Sequence, residues 1–209
     1  GACGKSNETK YHDGVLPIDT YKNTVDELAK PNYKMPWDEL RGLLKEVGIR
    51  NSTLMALMPA ETSAQISNST NGIEPPRSLI SVKQSKDGVL KQVVPQIGRL
   101  KNKYDLLWDQ KSPEGYLKIM AVLQKFIDQG ISVNTSYNPL HYDEEKIPLS
   151  LMMQHMLMFY KYGGKQLYYN NTYDGAGEIT DDRDPPVEEI EEGEACDWRN
   201  PDDCDACKI

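Results

Sequence analysis

The chain has 209 residues, 38% of them hydrophobic, and a formal charge of -8 at pH 7, which is enough apolar material for a real core, as one domain or as part of a larger one. No apolar run approaches the roughly 20 residues of a membrane span, and the N-terminus lacks the basic and apolar regions of a secretory signal, so a cytoplasmic protein is expected. Residues 174–209 carry fourteen acids against three bases, a net of -11 that leaves the first 173 residues at +3; so weakly basic a body suits an anionic small molecule and gives no argument for nucleic acid.

Residues 1–19 mix glycines, isolated polar residues and Pro17 without a usable period, which predicts loop with at most one short strand. A short helix is expected over 24–29, ended by Pro31. Pro36 then occupies a first-helical position, Trp37, Leu40, Leu44 and Val47 recur at spacings of three and four, and Gly48 stands where a helix stops. This amphipathic helix leads through Ile49-Arg50-Asn51 into a strand over 53–58. The apolar run breaks at Pro59 and resumes in the helix-permissive Ala60-Glu61-Thr62-Ser63-Ala64-Gln65-Ile66-Ser67, which reads as strand, turn and helix. The amides of such a helix's first turn point out of the strand end and suit an anion. A Ser or Thr there serves equally as the N-cap of its own helix.

A turn-rich linker over 68–77 precedes two alternating segments, 79–84 and 89–94, around Ser85-Lys86-Asp87-Gly88, where Asp-Gly marks a hairpin. Residues 104–108 begin another helical pattern. Tyr116, Leu117, Met120, Leu123 and Ile127 form a longer one, stopped by Gly130. Ile131-Ser132-Val133 reads as a short strand followed by a polar loop containing Pro139. Residues 150–162 read as a methionine-rich helix between Pro148 and Gly163-Gly164, whose Met152, Met153, Met156 and Met158 are expected to pack. Helices and strands in this alternation make an α/β unit packed in layers.

Residues 165–171 read as a buried strand. Its adjacent Tyr168 and Tyr169 are either core residues or redox-active phenols forming a hopping relay. Successive side chains of a regular strand face opposite ways, so stacking the two rings requires a local distortion.

The composition changes at Asp174. The segment 174–209 has few large apolar residues, the pair Pro185-Pro186 and an acidic run over 188–194; it cannot offset its ordering entropy and is expected to be disordered. Only Cys3 lies in the body, while Cys196, Cys204 and Cys207 lie in the tail, which is no disulfide framework. Cys204-Asp205-Ala206-Cys207 has the spacing of half a zinc site, but no second pair and no histidine accompany it, so no metal is expected. The alternatives are a tethered dithiol exchanging with one site and then with a reductant, and a solubilising tail with incidental thiols. The tail's random-coil span of about 30 Å reaches a neighbouring pocket.

The pattern Trp37-x-x-Leu40, seven residues, Gly48-Ile49-Arg50-Asn51, three residues, Met55-Ala56-x-x-Pro59 resembles the signature of the ribonucleotide reductase large (alpha) subunit. The resemblance continues through 54–77, the hairpin, Leu167-Tyr168-Tyr169-Asn170-Asn171-Thr172 and the terminal Ala206-Cys207-Lys208-Ile209, and is of the class Ia type of enteric bacteria and their phages. It implies that residues 1–173 are the C-terminal part of a ten-stranded α/β barrel and that 174–209 are a flexible redox tail. It also implies that Ala60, Glu61, Thr62 and Ser63 hold substrate phosphates, and that Tyr168 and Tyr169 pass an oxidising equivalent from the small subunit's tyrosyl radical toward a cysteine. Cys204 and Cys207 match the family's C-terminal dithiol in role. Familiar members separate those cysteines by four residues and this chain by two, which makes Cys196 an alternative member of the pair.

The family's thiyl-radical cysteine, its substrate-side cysteine pair and its regulatory nucleotide region match nothing in this sequence, and Cys3 is none of them. The resemblance therefore implies the C-terminal half of a split large subunit, inactive alone and binding no cofactor or metal itself. Its expected partners are an N-terminal half, the small (beta) subunit with its di-iron tyrosyl radical, thioredoxin or glutaredoxin, and a ribonucleoside diphosphate that is reduced to the deoxyribonucleotide. The work is expected in the cytoplasm, a host's if the chain is phage-encoded. Two other readings stand beside it: a non-catalytic assembly or regulatory module binding reductase subunits, and a dithiol carrier in which the tail alone matters.

Overall fold

The computed structural model describes residues 1–67, 69, 72–85 and 88–175, with backbone alone for 61, 62, 65, 83–85 and 88–90. In chain order the elements are α1 (Pro17–Thr20), α2 (Trp37–Val47), α3 (Glu61–Ile66), the strands β1 (Ile80–Ser85) and β2 (Gly88–Val93), α4 (Ile97–Leu100), α5 (Glu114–Gln124), β3 (Val133–Tyr137), α6 (Leu149–Lys161) and β4 (Leu167–Thr172). No helix among the described residues is long and apolar enough to cross a membrane.

The N-terminal segment holds no strand. Its polar residues instead close a 3-10 turn over Ser6–Glu8 and the single turn of α1. Arg41 of α2 forks onto both oxygens of Asp19, donating from Nη2 to Oδ1 at 2.7 Å, and also donates to the Gly14 carbonyl at 2.7 Å. That guanidinium holds the Asp19 carboxyl below its ordinary range. Beneath this clamp Tyr11, Leu16, Ile18 and Leu44 form a small core. Asp38 and Glu39 in the first turn of α2 and Lys45 in the last complement its dipole. Pro36 falls one position earlier than the sequence suggested, at the N-cap, and the helix stops at Gly48, whose φ of 73° favours glycine. The expected short helix over 24–29 is a 3-10 turn, Asn23–Glu27.

The main core surrounds α5. Leu117, Met120 and Ala121 on one helix face meet Val25, Ile127, Ile131, Val133 and Phe159. Gly164 permits this closure at the end of α6, because a Cβ there would enter the Phe159 ring. Lys125, just past α5, is buried and donates to Asp26 Oδ1 and the Ala29 carbonyl, each at 2.5 Å, joining the Asn23–Glu27 turn to the core. His155 on α6 is buried and fully engaged, with Nδ1 3.0 Å from the Tyr137 hydroxyl and Nε2 3.2 Å from Ser112 Oγ. Burial lowers its pKa, and burial pushes Tyr137 up to about 12.

β1 and β2 form the expected hairpin, with Ile80 opposite Val93 and Ser85 opposite Gly88. β3 and β4 are parallel and joined by α6, a βαβ unit. Leu57 adds a parallel bridge to Ile131, supported by Gln129 N–H to the Met55 carbonyl at 3.2 Å and Ser132 N–H to the Leu57 carbonyl at 3.1 Å. The parallel layer therefore runs from the Leu57 segment through β3 to β4.

Further sequence expectations change. The strand over 53–58 shrinks to one bridged residue, because the Asp128 carboxylate takes the Leu54 and Met55 amides at 2.7 and 2.9 Å in place of a ladder. The expected helix over 104–108 is a 3-10 turn at Leu107–Asp109, entered through extended Tyr104 and Leu106. The strand expected at 131–133 runs from Val133 to Tyr137, and its Asn134-Thr135-Ser136 had read as polar loop. The strand expected to be buried at 165–171 is mostly exposed. On α6, Met152 and Met158 are half-buried, whereas Met153 and Met156 face outward with Leu149, Leu157 and Tyr160, a single helical stripe opposite His155 and Phe159.

Candidate functional site

At the carboxyl end of the Leu57 segment the chain passes Pro59 and enters α3. The helix is closed by Ala64 N–H to the Ala60 carbonyl at 2.7 Å and Ser67 N–H to the Ser63 carbonyl at 3.1 Å. Glu61, Thr62 and Ser63 thus make up its first turn, where amides lack intrahelical acceptors. Ser63 is exposed. Strand, turn and helix meet here as the sequence predicted, although the strand is only a bridge.

The two tyrosines lie on β4. Val133 pairs with Leu167 and Thr135 with Asn170, so one residue of β3 faces two of β4, Tyr168 and Tyr169. This is a β-bulge, the distortion that places successive side chains on one side of a strand. The rings stand 4.2 Å apart between centroids at an interplanar angle of 54°. The Tyr169 hydroxyl donates to the Tyr168 hydroxyl at 3.4 Å, and that bond raises the Tyr169 pKa. Both side chains are more than half exposed, at 51% and 57%, which overturns the reading of them as core residues.

Register relates the two features. Leu57 is level with Ile131 and Val133 with Leu167, so Pro59 is level with the start of the tyrosine bulge. They are two strands apart, about 10 Å at the ordinary inter-strand spacing. The turn and the tyrosine pair therefore border the same end of the parallel layer, the end at which β3 and β4 begin.

Asp128 was missed in the sequence. It precedes β3 and gathers the amides of Leu54, Met55 and Gln129 and the Tyr11 hydroxyl, all between 2.7 and 3.0 Å. Its burial opposes ionisation, but the Met55 and Leu54 amides, the Tyr11 hydroxyl and the Gln129 amide outweigh it and hold the carboxyl below its ordinary range. Burial and this carboxylate push Tyr11 up to about 12. An acid between an apolar helix and a strand start was the only signal available. Cys3 is a half-buried free thiol whose amide donates to the Ile49 carbonyl at 2.9 Å. Cys196, Cys204 and Cys207, and all but the first two residues of the expected disordered tail 174–209, lie outside the described residues.

The family model of the ribonucleotide reductase barrel domain matches residues 1–103 and 97–170. The chain is 53% identical over 184 residues to the ribonucleoside-diphosphate reductase subunit alpha of Haemophilus influenzae, covering 88% of this chain and 24% of the relative. It is 50% identical over 189 residues to the ribonucleoside-diphosphate reductase 1 subunit alpha of Escherichia coli, covering 90% and 25%. To the subunit alpha of Enterobacteria phage T4 it is 46% identical over 205 residues, covering 97% and 26%. The chain thus spans about a quarter of the length of the curated relatives it matches.

Proposed function

Since the chain belongs to the ribonucleotide reductase barrel-domain family, we propose that it acts as the C-terminal part of a ribonucleoside-diphosphate reductase alpha subunit. The observation that carries this reading is the facing pair Tyr168 and Tyr169, hydroxyl to hydroxyl at 3.4 Å, on a strand level with the Pro59 turn.

A ribonucleoside diphosphate rests its phosphates on the first-turn amides of α3, at Ala60, Glu61, Thr62 and Ser63, with the Thr62 and Ser63 hydroxyls as further donors or as caps. An oxidising equivalent from the tyrosyl radical of the small subunit passes between the two phenols. Each phenol loses an electron and its hydroxyl proton together and regains both at the next hop. The last hop draws on a cysteine of the remaining large subunit, carried on the same polypeptide or on a separate N-terminal half. Reduction of the ribose converts two thiols there to a disulfide, and the Cys204–Cys207 dithiol returns them to thiols by exchange, becoming a disulfide that thioredoxin or glutaredoxin reduces. The apolar stripe on α6 and the exposed Leu54, Met55 and Met58 fit burial against the other parts of such an assembly. Its place is the cytoplasm.

Reconstituted diphosphate reduction tests the reading. Turnover is expected when the chain is combined with the rest of the alpha subunit, the small subunit and reductant. Turnover without the rest of the alpha subunit would overturn it. Replacing both tail thiols, Cys204→Ser with Cys207→Ser, is expected to leave one turnover from pre-reduced enzyme and to remove the later, thioredoxin-driven ones. Sustained turnover in that variant would remove the tail from the mechanism.

A further inference from the structure

The bulge in β4 leaves a gap in the ladder. Between the pairs Val133–Leu167 and Thr135–Asn170, Tyr168 and Tyr169 share a single facing residue and have no one-to-one partners. Asn134, the single residue facing the two tyrosines, fills that gap with its side chain, its Oδ1 accepting the Tyr169 N–H at 3.0 Å. The other end of the same amide group donates from Nδ2 to Glu74 Oε1 at 2.5 Å. Glu74 is half-buried, in the wall of a small cavity that it shares with Tyr116, Pro113 and Leu107. Because Nδ2 is tied to a carboxylate, which only accepts, the carbamoyl group is fixed with its oxygen toward Tyr169.

We propose that Asn134, oriented by Glu74, is the positioning residue that keeps Tyr168 and Tyr169 facing one another. The proposal rests on the relay reading above. In a regular register the two side chains fall on opposite faces of the strand and the rings part. The bulge prevents this, and a fixed protein acceptor for the Tyr169 amide, in place of water, favours the bulged register over the regular one. Asn134 supplies that acceptor from the facing strand. Thr135 Oγ1 to Asn170 Oδ1 at 2.9 Å then resumes side-chain bonding one pair further on. Glu74 approaches from 60 residues away in sequence, so the segment before the hairpin reports directly on the geometry of the phenols.

The test uses the complete alpha subunit with its small subunit. Asn134→Ala is expected to lower kcat about 100-fold, the scale of loss from an ångström of misplacement, with KM for the diphosphate unchanged. A fluorinated tyrosine in place of Tyr169, followed by fluorine NMR, gives a second readout. In the Asn134→Ala background its phenol is expected to titrate at lower pH, as the bond to Tyr168 opens. Glu74→Ala is expected to produce both changes and Glu74→Gln, which keeps the acceptor oxygen, to restore both. A folded Asn134→Ala complex with ordinary kcat and unchanged phenol titration would overturn the proposal, as would equal loss in Glu74→Ala and Glu74→Gln. If Asn134→Ala does not assemble, the two Glu74 variants decide by the same readouts. Full turnover in Tyr168→Phe instead defeats the relay reading itself, whereas full turnover confined to Asn134→Ala and Glu74→Ala defeats only the positioning role.

Discussion

Tyr168→Phe is expected to abolish ribonucleotide reduction while leaving assembly intact. Phenylalanine keeps the ring and removes the hydroxyl that accepts from Tyr169. A benzene ring has no acidic proton to release with the electron, so the hop across it is steeply uphill. Every 1.4 kcal/mol added to that step costs a factor of ten, and a loss of at least about 1000-fold is expected from a penalty of only about 4 kcal/mol. Tyr168 is 51% exposed, so the missing hydroxyl creates no buried cavity, and the melting temperature and subunit association should stay within error. The measurements are turnover in the full complex and subunit affinity by sedimentation. Surviving turnover would remove the tyrosine pair from the reaction; lost affinity with unchanged turnover would make it an assembly contact.

Asp128→Ala is expected to be the most damaging change to stability. It strips the acceptor from the Leu54, Met55 and Gln129 amides and from the Tyr11 hydroxyl together. Hydrogen bonds to a charged acceptor contribute about 1.5–3 kcal/mol each. Water replaces part of this at the exposed Leu54 and Met55, leaving a net loss of about 3 kcal/mol. The native carboxyl titrates below its ordinary range, so its contribution is fully present above the unfolded value of about 3.9 and is lost as pH falls through the lower folded value. Denaturant unfolding of Asp128→Asn as a function of pH should accordingly show a flatter acid limb than the parent. An unaltered acid limb would mean that another carboxylate sets it.

What could be read from the sequence follows the range of the forces involved. α2, α5, α6 and the hairpin were legible because each is specified within its own span: the Leu44 and Leu117-Met120 spacings, Gly48 and Gly163 as stops, and two alternating segments that close with Ser85 opposite Gly88, although α5 ends at Gln124, before the stop expected at Gly130. The strand over 53–58 was misread because its amides are taken by a carboxylate more than 70 residues away. No local pattern announces such a bond. Asn134, Thr135 and Ser136 favour turns by composition, and only their parallel pairing with β4 makes them a strand. Burial of β4 was overestimated because an aromatic-rich run looks alike whether or not another layer covers it. The tyrosine pair was legible by resemblance, and the need for a distortion followed from strand geometry. The residue that supplies the distortion was not legible, since a lone asparagine has too many ordinary roles.

The hairpin has a consequence for how the molecule loosens. β1 and β2 pair only with one another among the described residues, and Ile80 and Val93 are 45% and 38% exposed. A two-stranded ribbon is marginal by itself, so its amides open to solvent by local fraying, whereas those of α5, around the fully enclosed Leu117, exchange only when the whole body unfolds. Stability is therefore graded outward from α5. The ribbon frays before the Val133–Leu167 pairing beneath the tyrosines, because Val133 is fully enclosed in the core around α5.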